Sequence, residues 1–137
     1  MRETTVHQRS DTTAELAEFF DRFVTAFASF DGVIVAGLFT APGVALKQDG
    51  SLKGFAAIAD IAAYYQTALD QYRAAGCQSC RYGQLETHAL GTTSTVATVT
   101  WDLVQADNSL VAHWRQAYFL TKIDGAWRCF GSAFVTD

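Results

Sequence analysis

The sequence contains no run of lysine or arginine, and its formal net charge is −4. Together these exclude the basic footprint that a nucleic-acid or anionic-membrane partner requires. No stretch approaches the ~20 consecutive apolar residues of a membrane-spanning helix. The polar segment from Met1 to Thr12 lacks the apolar centre of a secretory signal, so the cytoplasm is the expected compartment. Cysteine is scarce: Cys77 and Cys80 make a lone C-x-x-C, and Cys129 stands apart. A zinc site needs four ligands, and no second C-x-x-C or H-x-x-x-H completes one. The pair therefore reads as two small residues entering a strand, with no metal and no cofactor expected. No repeat, low-complexity tract or linker divides the chain. Its 137 residues suit one domain, taken as 12–137 behind a flexible tail over 1–11.

What the sequence does have is aromatic weight, with ten Phe and half its residues hydrophobic. A chain of this size buries roughly two-thirds of its unfolded surface, enough for one core. Aromatic rings beyond that need line a cavity or an interface.

Thr12-x-x-Glu15 has the form of a capping box before Leu16, Phe19, Phe20, Phe23, Phe27 and Phe30, which recur at helical spacing. Such a stripe is ordinarily core, but against a concave sheet part of it also forms a cavity wall. Asp31-Gly32 breaks this helix, and Asp31 is placed to cap a short second one over Val33 to Phe39. After the breaker Pro42-Gly43, residues Val44 to Lys53 read as a small hairpin turning at Asp49-Gly50. A third helix is expected over Phe55 to Ala75, closed by Gly76, with Ile58, Ile61, Tyr65, Leu69 and Tyr72 as its buried stripe.

The last third alternates with a period of two. A two-residue turn at Asp107-Asn108 pairs Trp101 with Trp114, Val99 with Gln116 and Ala97 with Tyr118. A second at Asp124-Gly125 pairs Tyr118 with Gly131 and Leu120 with Cys129. These registers place Trp101, Trp114, Gln116, Tyr118 and Leu120 on one face, and Asp102, His113, Arg115, Phe119, Phe130 and Phe134 on the other. A one-residue slip or a bulge inverts the assignment.

The order of elements resembles the nuclear transport factor two-like superfamily, which includes ketosteroid isomerase, scytalone dehydratase, limonene epoxide hydrolase and the SnoaL-like polyketide cyclases. The matching stretches are Phe27-Ala28-x-x-Asp31, Leu38-Phe39-Thr40-Ala41, Lys53-Gly54-x-x-Ala57-Ile58 and Asp124-Gly125-Ala126-Trp127-Arg128. The resemblance implies an α+β cone or barrel: three N-terminal helices packed on a strongly curved, mostly antiparallel sheet whose open end holds a small apolar ligand. It also implies a homodimer through the outer sheet face, which gives Phe119, Phe130 and Phe134 a partner.

The catalytic residues of that superfamily do not carry over. Where the isomerase has its Tyr, its carboxylate base and its protonated Asp, this sequence has Phe23, Lys47 and approximately Gln116. Asp102 and Arg115 are the types that activate water in the epoxide hydrolases, but the register places both outside. His88 and His113 are the residue type of the dehydratase pair, without spacing that joins them. The candidate ligand-binding set is Phe23, Phe27, Tyr65, Trp101, Trp114, Gln116 and Tyr118. The weaker catalytic candidates are Tyr118 as acid, Lys47 as a desolvated base, and the cross-strand pair Asp102 and His113. The expected function is a pocket for a small hydrophobic, oxygen-bearing molecule. The alternative is a cofactor-independent isomerase, cyclase or dehydratase using the same pocket.

Overall fold

Strict alternation of half-buried and buried residues from Ser94 to Leu103 marks an interior strand of a sheet that faces helices on one side. In the computed structural model, residues 2–136 are described, with side chains from Thr12 onward. The elements run α1 (Arg2–Ala28), α2 (Gly32–Ala36), β1 (Phe39–Leu46), β2 (Leu52–Phe55), α3 (Ile58–Ala74), β3 (Ser79–Ala89), β4 (Ser94–Val104), β5 (Leu110–Ile123) and β6 (Ala126–Val135). The strands form one six-stranded sheet in the order β2-β1-β6-β5-β4-β3. All neighbours are antiparallel except β1 and β6, which run parallel. The sheet is curved and unclosed, with β2 and β3 as its edges, so the expected α+β architecture is the one observed. No helix among the described residues is long and apolar enough to cross a membrane.

The core forms where the Phe stripe of α1 meets the concave face. Leu16, Phe19 and Phe20 are fully buried, and pack with Val99, Trp101, Tyr118, Leu120 and Cys129. Glu15 accepts hydrogen bonds from Trp127 Nε1 and Lys122 Nζ, both at 2.8 Å, tying α1 to the last hairpin. Those bonds hold its carboxyl below the usual range, against a small opposing effect of burial. A helix start at Thr12 is thereby corrected: α1 begins at Arg2, and Glu15 bridges to the sheet instead of capping. The side chains of the 1–11 segment lie outside the described residues.

Asp31 does cap α2, its Oδ1 accepting from Val33 N at 2.9 Å. Gln66 of α3 then clamps the α1–α2 junction, accepting from Gly32 N at 2.7 Å and donating to Phe30 O at 3.1 Å. The second helix stops at Ala36, earlier than expected, because Phe39 already pairs with Cys129 in the sheet. Pro42 and Gly43 lie within β1, where its pairing with β6 shifts between Phe39 and Val44. Likewise Phe55 ends β2 and α3 begins only at Ile58, which is exposed. Ile61 and Leu69 are the fully buried members of the α3 stripe.

The β4–β5 register is the expected one, Trp101 opposite Trp114 and Ala97 opposite Tyr118, but the turn is different. Asn108 takes a left-handed φ of 67° in a loop closed by Gln105 and Ser109, and the pairing shifts between Leu103 and Val104. The longer loop and the bulge cancel. At the next hairpin, Asp124 and Gly125 have φ of 52° and 79°, the two positive values that a tight primed turn demands. Beyond it the expectation fails. A bulge leaves Phe130 unpaired, so Tyr118 faces Ser132 rather than Gly131, and Gln116 faces Phe134. Phe134 therefore sits on the inner face, a correction to its expected place outside.

Candidate functional site

Between α1, α3 and the concave side of β1, β4, β5 and β6 lies a cavity of ≈ 1300 Å³. Period-two alternation decides what enters it. From β4 come Trp101 and Leu103, from β5 Trp114, Gln116 and Tyr118, and from β6 Ser132 and Phe134. Helix α1 contributes Phe23 and Phe27, and α3 contributes Tyr64, Tyr65, Leu69 and Tyr72. All seven residues of the candidate ligand-binding set thus touch one space. Ser132, Phe134 and Tyr72 were missing from that set. The sequence signal for the first two is Gly131, whose added Cβ would lie 3.5 Å from the Phe119 ring; a strand glycine often marks a bulge.

The deep end is aromatic. The Phe23 ring lies 5.2 Å from Trp101, 5.7 Å from Tyr118 and 6.0 Å from Phe39, centroid to centroid. Tyr72 and Trp114 stack at 6.2 Å and 22°. Within this wall Trp101 Nε1 donates to Tyr118 Oη at 2.7 Å, and Trp114 Nε1 donates to Gln116 Oε1 at 3.0 Å. Tyr118 thus accepts from the protein, and its own proton has no acceptor among the described residues. Burial pushes the Tyr118 phenol well above its ordinary range, partly opposed by the bond from Trp101. Tyr65 is raised well above that range too, by burial first and by Tyr118 and Cys129 after it. Both phenols therefore keep their protons at neutral pH and serve as donors.

The weaker candidates fall elsewhere. Asp102 and His113 are opposed across β4 and β5 on the outer side, with His113 Nδ1 2.5 Å from Asp102 Oδ1 and Arg81 Nε 3.3 Å from Asp102 Oδ2. The His113 bond holds the Asp102 carboxyl below its usual range; burial opposes this weakly and Arg81 reinforces it. His113 reaches only the rim of the cavity, and Asp102 does not line it. Arg115 pairs with Glu86 and bonds Thr100 Oγ1 at 3.0 Å, apart from Asp102. His88 is exposed opposite Val96. Lys47 lines the mouth and is exposed, outside the apolar wall where a base would meet the ligand. Asp60, the one carboxylate among the described lining residues, accepts from Ala57 N at 3.1 Å at the start of α3.

The cysteines are thiols, all buried. Cys80 and Cys129 are each pushed up to about 12 by burial, which removes the thiolate that redox or nucleophilic chemistry uses. Among the described residues no cluster of three or more His, Cys, Asp or Glu could hold a metal ion.

A family profile described as "NTF2-like protein (DUF6841)" matches residues 14–136. Among solved structures, Aln2 from a Streptomyces species superposes with a TM-score of 0.72 at 17% identity, covering 90% of this chain and 89% of that one. An NTF2-like protein with a cystatin-like fold from Novosphingobium aromaticivorans gives 0.71 at 15% identity, covering 97% and 84%. A Mycobacterium tuberculosis protein of unknown function gives 0.72 at 18% identity, covering 96% and 75%. At such identities the likeness concerns the fold alone. No curated protein sequence is significantly similar to the chain.

Proposed function

The chain belongs to the NTF2-like family of that profile, and on this premise we propose that its cavity binds a small hydrophobic, oxygen-bearing molecule, as a pocket protein of the SnoaL-like type. The observation that carries this is that Tyr65, half-buried, and Tyr118, buried, both line an aromatic cavity, with the Tyr118 proton not taken up among the described residues. A ligand carbonyl or hydroxyl supplies the acceptor. Binding without turnover is favoured over catalysis because Asp60, the single carboxylate lining the cavity among the described residues, is exposed and bonded within its own turn. Isomerase, cyclase or dehydratase chemistry would need a base near the phenols, and the wall there offers none among the described residues.

A thermal-shift screen with small aromatic and terpenoid ketones tests this. Hits should raise the melting temperature and be recovered unchanged. Tyr118→Phe should bind them about five-fold more weakly, the value of one lost neutral hydrogen bond of about 1 kcal/mol. A hit chemically altered over time would favour the enzymatic reading, and an inert screen would sink both.

A homodimer through the outer sheet face is part of the same proposal. Phe119 and Phe130 lie there with ring centroids 6.1 Å apart, and Phe130 is 38% exposed. Val44, Leu46 and Val135 extend the patch in place of Phe134, and all three are exposed. An apolar face of this extent is a liability in a monomer. Light scattering at micromolar concentration should return a dimer, and Phe130→Ser should shift it toward monomer. A strictly monomeric wild type would overturn the dimer.

A further inference from the structure

Eight lysines and arginines lie among the residues with described side chains, and six of them have partners on the protein. Arg81, Arg115 and Lys122 pair with carboxylates. Arg22 and Arg73 lie over the rings of Phe19 and Phe30, and Arg128 bonds the Gly37 carbonyl. Lys47 and Lys53 are the two that remain, and both line the mouth of the cavity. Their placement follows from the β1–β2 hairpin. Buried Ala45 points inward, Lys53 is its cross-strand partner, and Lys47 is two residues further along, so alternation sends both toward the same face. The acids nearby are already bonded locally. Asp60 accepts from Ala57 N, and Asp49, which senses the charge of Lys47, accepts from Ser51 N at 2.9 Å and Ser51 Oγ at 2.6 Å. A chain of net charge −4 thus presents, at the entrance to its aromatic cavity, two cations with no ion-pair partner among the described residues.

We propose, resting on the pocket reading above, that the ligand is an amphipathic anion. Its aromatic or polycyclic body lies along Tyr72 and Trp114 toward Tyr118, and its acidic group stays at the mouth between Lys47 and Lys53. The cavity of ≈ 1300 Å³ exceeds the roughly 300–1,000 Å³ usual for small-molecule sites, which suits an occupant long enough to span from the phenols to the lysines. Leaving the anion at the wet mouth avoids the cost of burying a charge while keeping its attraction to both ammonium groups.

Two fluorescent probes with one ring system test this: anilinonaphthalene sulfonate, which carries an anionic group, and uncharged phenylnaphthylamine. The sulfonate should bind about five- to ten-fold more tightly, the scale of two solvent-exposed charge pairs. The double variant Lys47→Met, Lys53→Met should abolish that preference while leaving the uncharged probe unaffected. Trp114→Ala should weaken both probes, and Phe130→Ser neither. Equal affinities in the wild type, or a preference that survives in the double variant, would overturn the anionic assignment and leave the pocket reading intact. Failure of both probes to bind, or loss of both in Phe130→Ser, would overturn the pocket reading and this one with it.

Discussion

Gly32→Ala should lose about 3 kcal/mol of stability, the upper end for overpacking, and lower the melting temperature by about 10 °C. A Cβ at Gly32 would lie 2.3 Å from the Ala62 carbonyl oxygen and 2.8 Å from Gln66 N, both backbone atoms of α3 that cannot rotate away. Relief requires α2 and α3 to separate, which also stretches the bond from Gly32 N to Gln66 Oε1. Gly54→Ala is the control, because an added Cβ there meets nothing within 4 Å. Thermal melts of the two variants decide the matter. If they match, α2 does not seat on α3 at this glycine.

The second large effect separates two neighbours on α1. Phe20 is fully buried against Tyr82, Trp101 and Tyr118, with centroids 5.5 to 6.2 Å away, and it does not line the cavity. Phe20→Ala should therefore cost about 3–5 kcal/mol, combining lost transfer energy with a new closed void. Phe23 is nearly as buried, but it forms part of the cavity wall. The space left by Phe23→Ala joins an opening that already exists, so its cost should fall about 1–2 kcal/mol lower, with the void contribution largely absent. Denaturant unfolding of both variants measures the gap. Equal losses would mean that the space beside Phe23 is closed off in solution.

Much of this fold was legible in the sequence, and the parts that were not share a cause. The β4–β5 register came through because Ala97, Val99, Trp101 and Leu103 alternate cleanly, even though the loop was longer than expected and the bulge near Val104 restored the phase. The primed turn at Asp124-Gly125 is local chemistry and was correct. Strand β1 was not legible: local spacing puts Phe39 in a helix, since its strand partner, Cys129, lies far away in the chain. The same holds for the bulge at Phe130, which depends on β1 and β5 packing on either side of Gly131. Non-local pairing decides these positions, and periodicity within a window cannot register it. For the site, the seven aromatic and amide residues are legible because they fall on the inner stripes of α1 and α3 or on one strand phase. The two lysines at the mouth do not show as a pair in the sequence, since only the hairpin brings them to one side.

The unpaired Phe130 has a consequence for how sequences of this kind line up with one another. It puts β6 out of phase with itself: Trp127 and Cys129 face inward on odd numbers, Ser132 and Phe134 on even ones. A relative lacking that extra residue would need a gap there to align correctly. Without the gap, every lining position after it would be equated with an outward-facing neighbour. The bulge thus governs the polarity of the cavity wall: with Phe130 drawn into regular pairing, Gly131 and Ala133 would face inward in place of the Ser132 hydroxyl and the Phe134 ring.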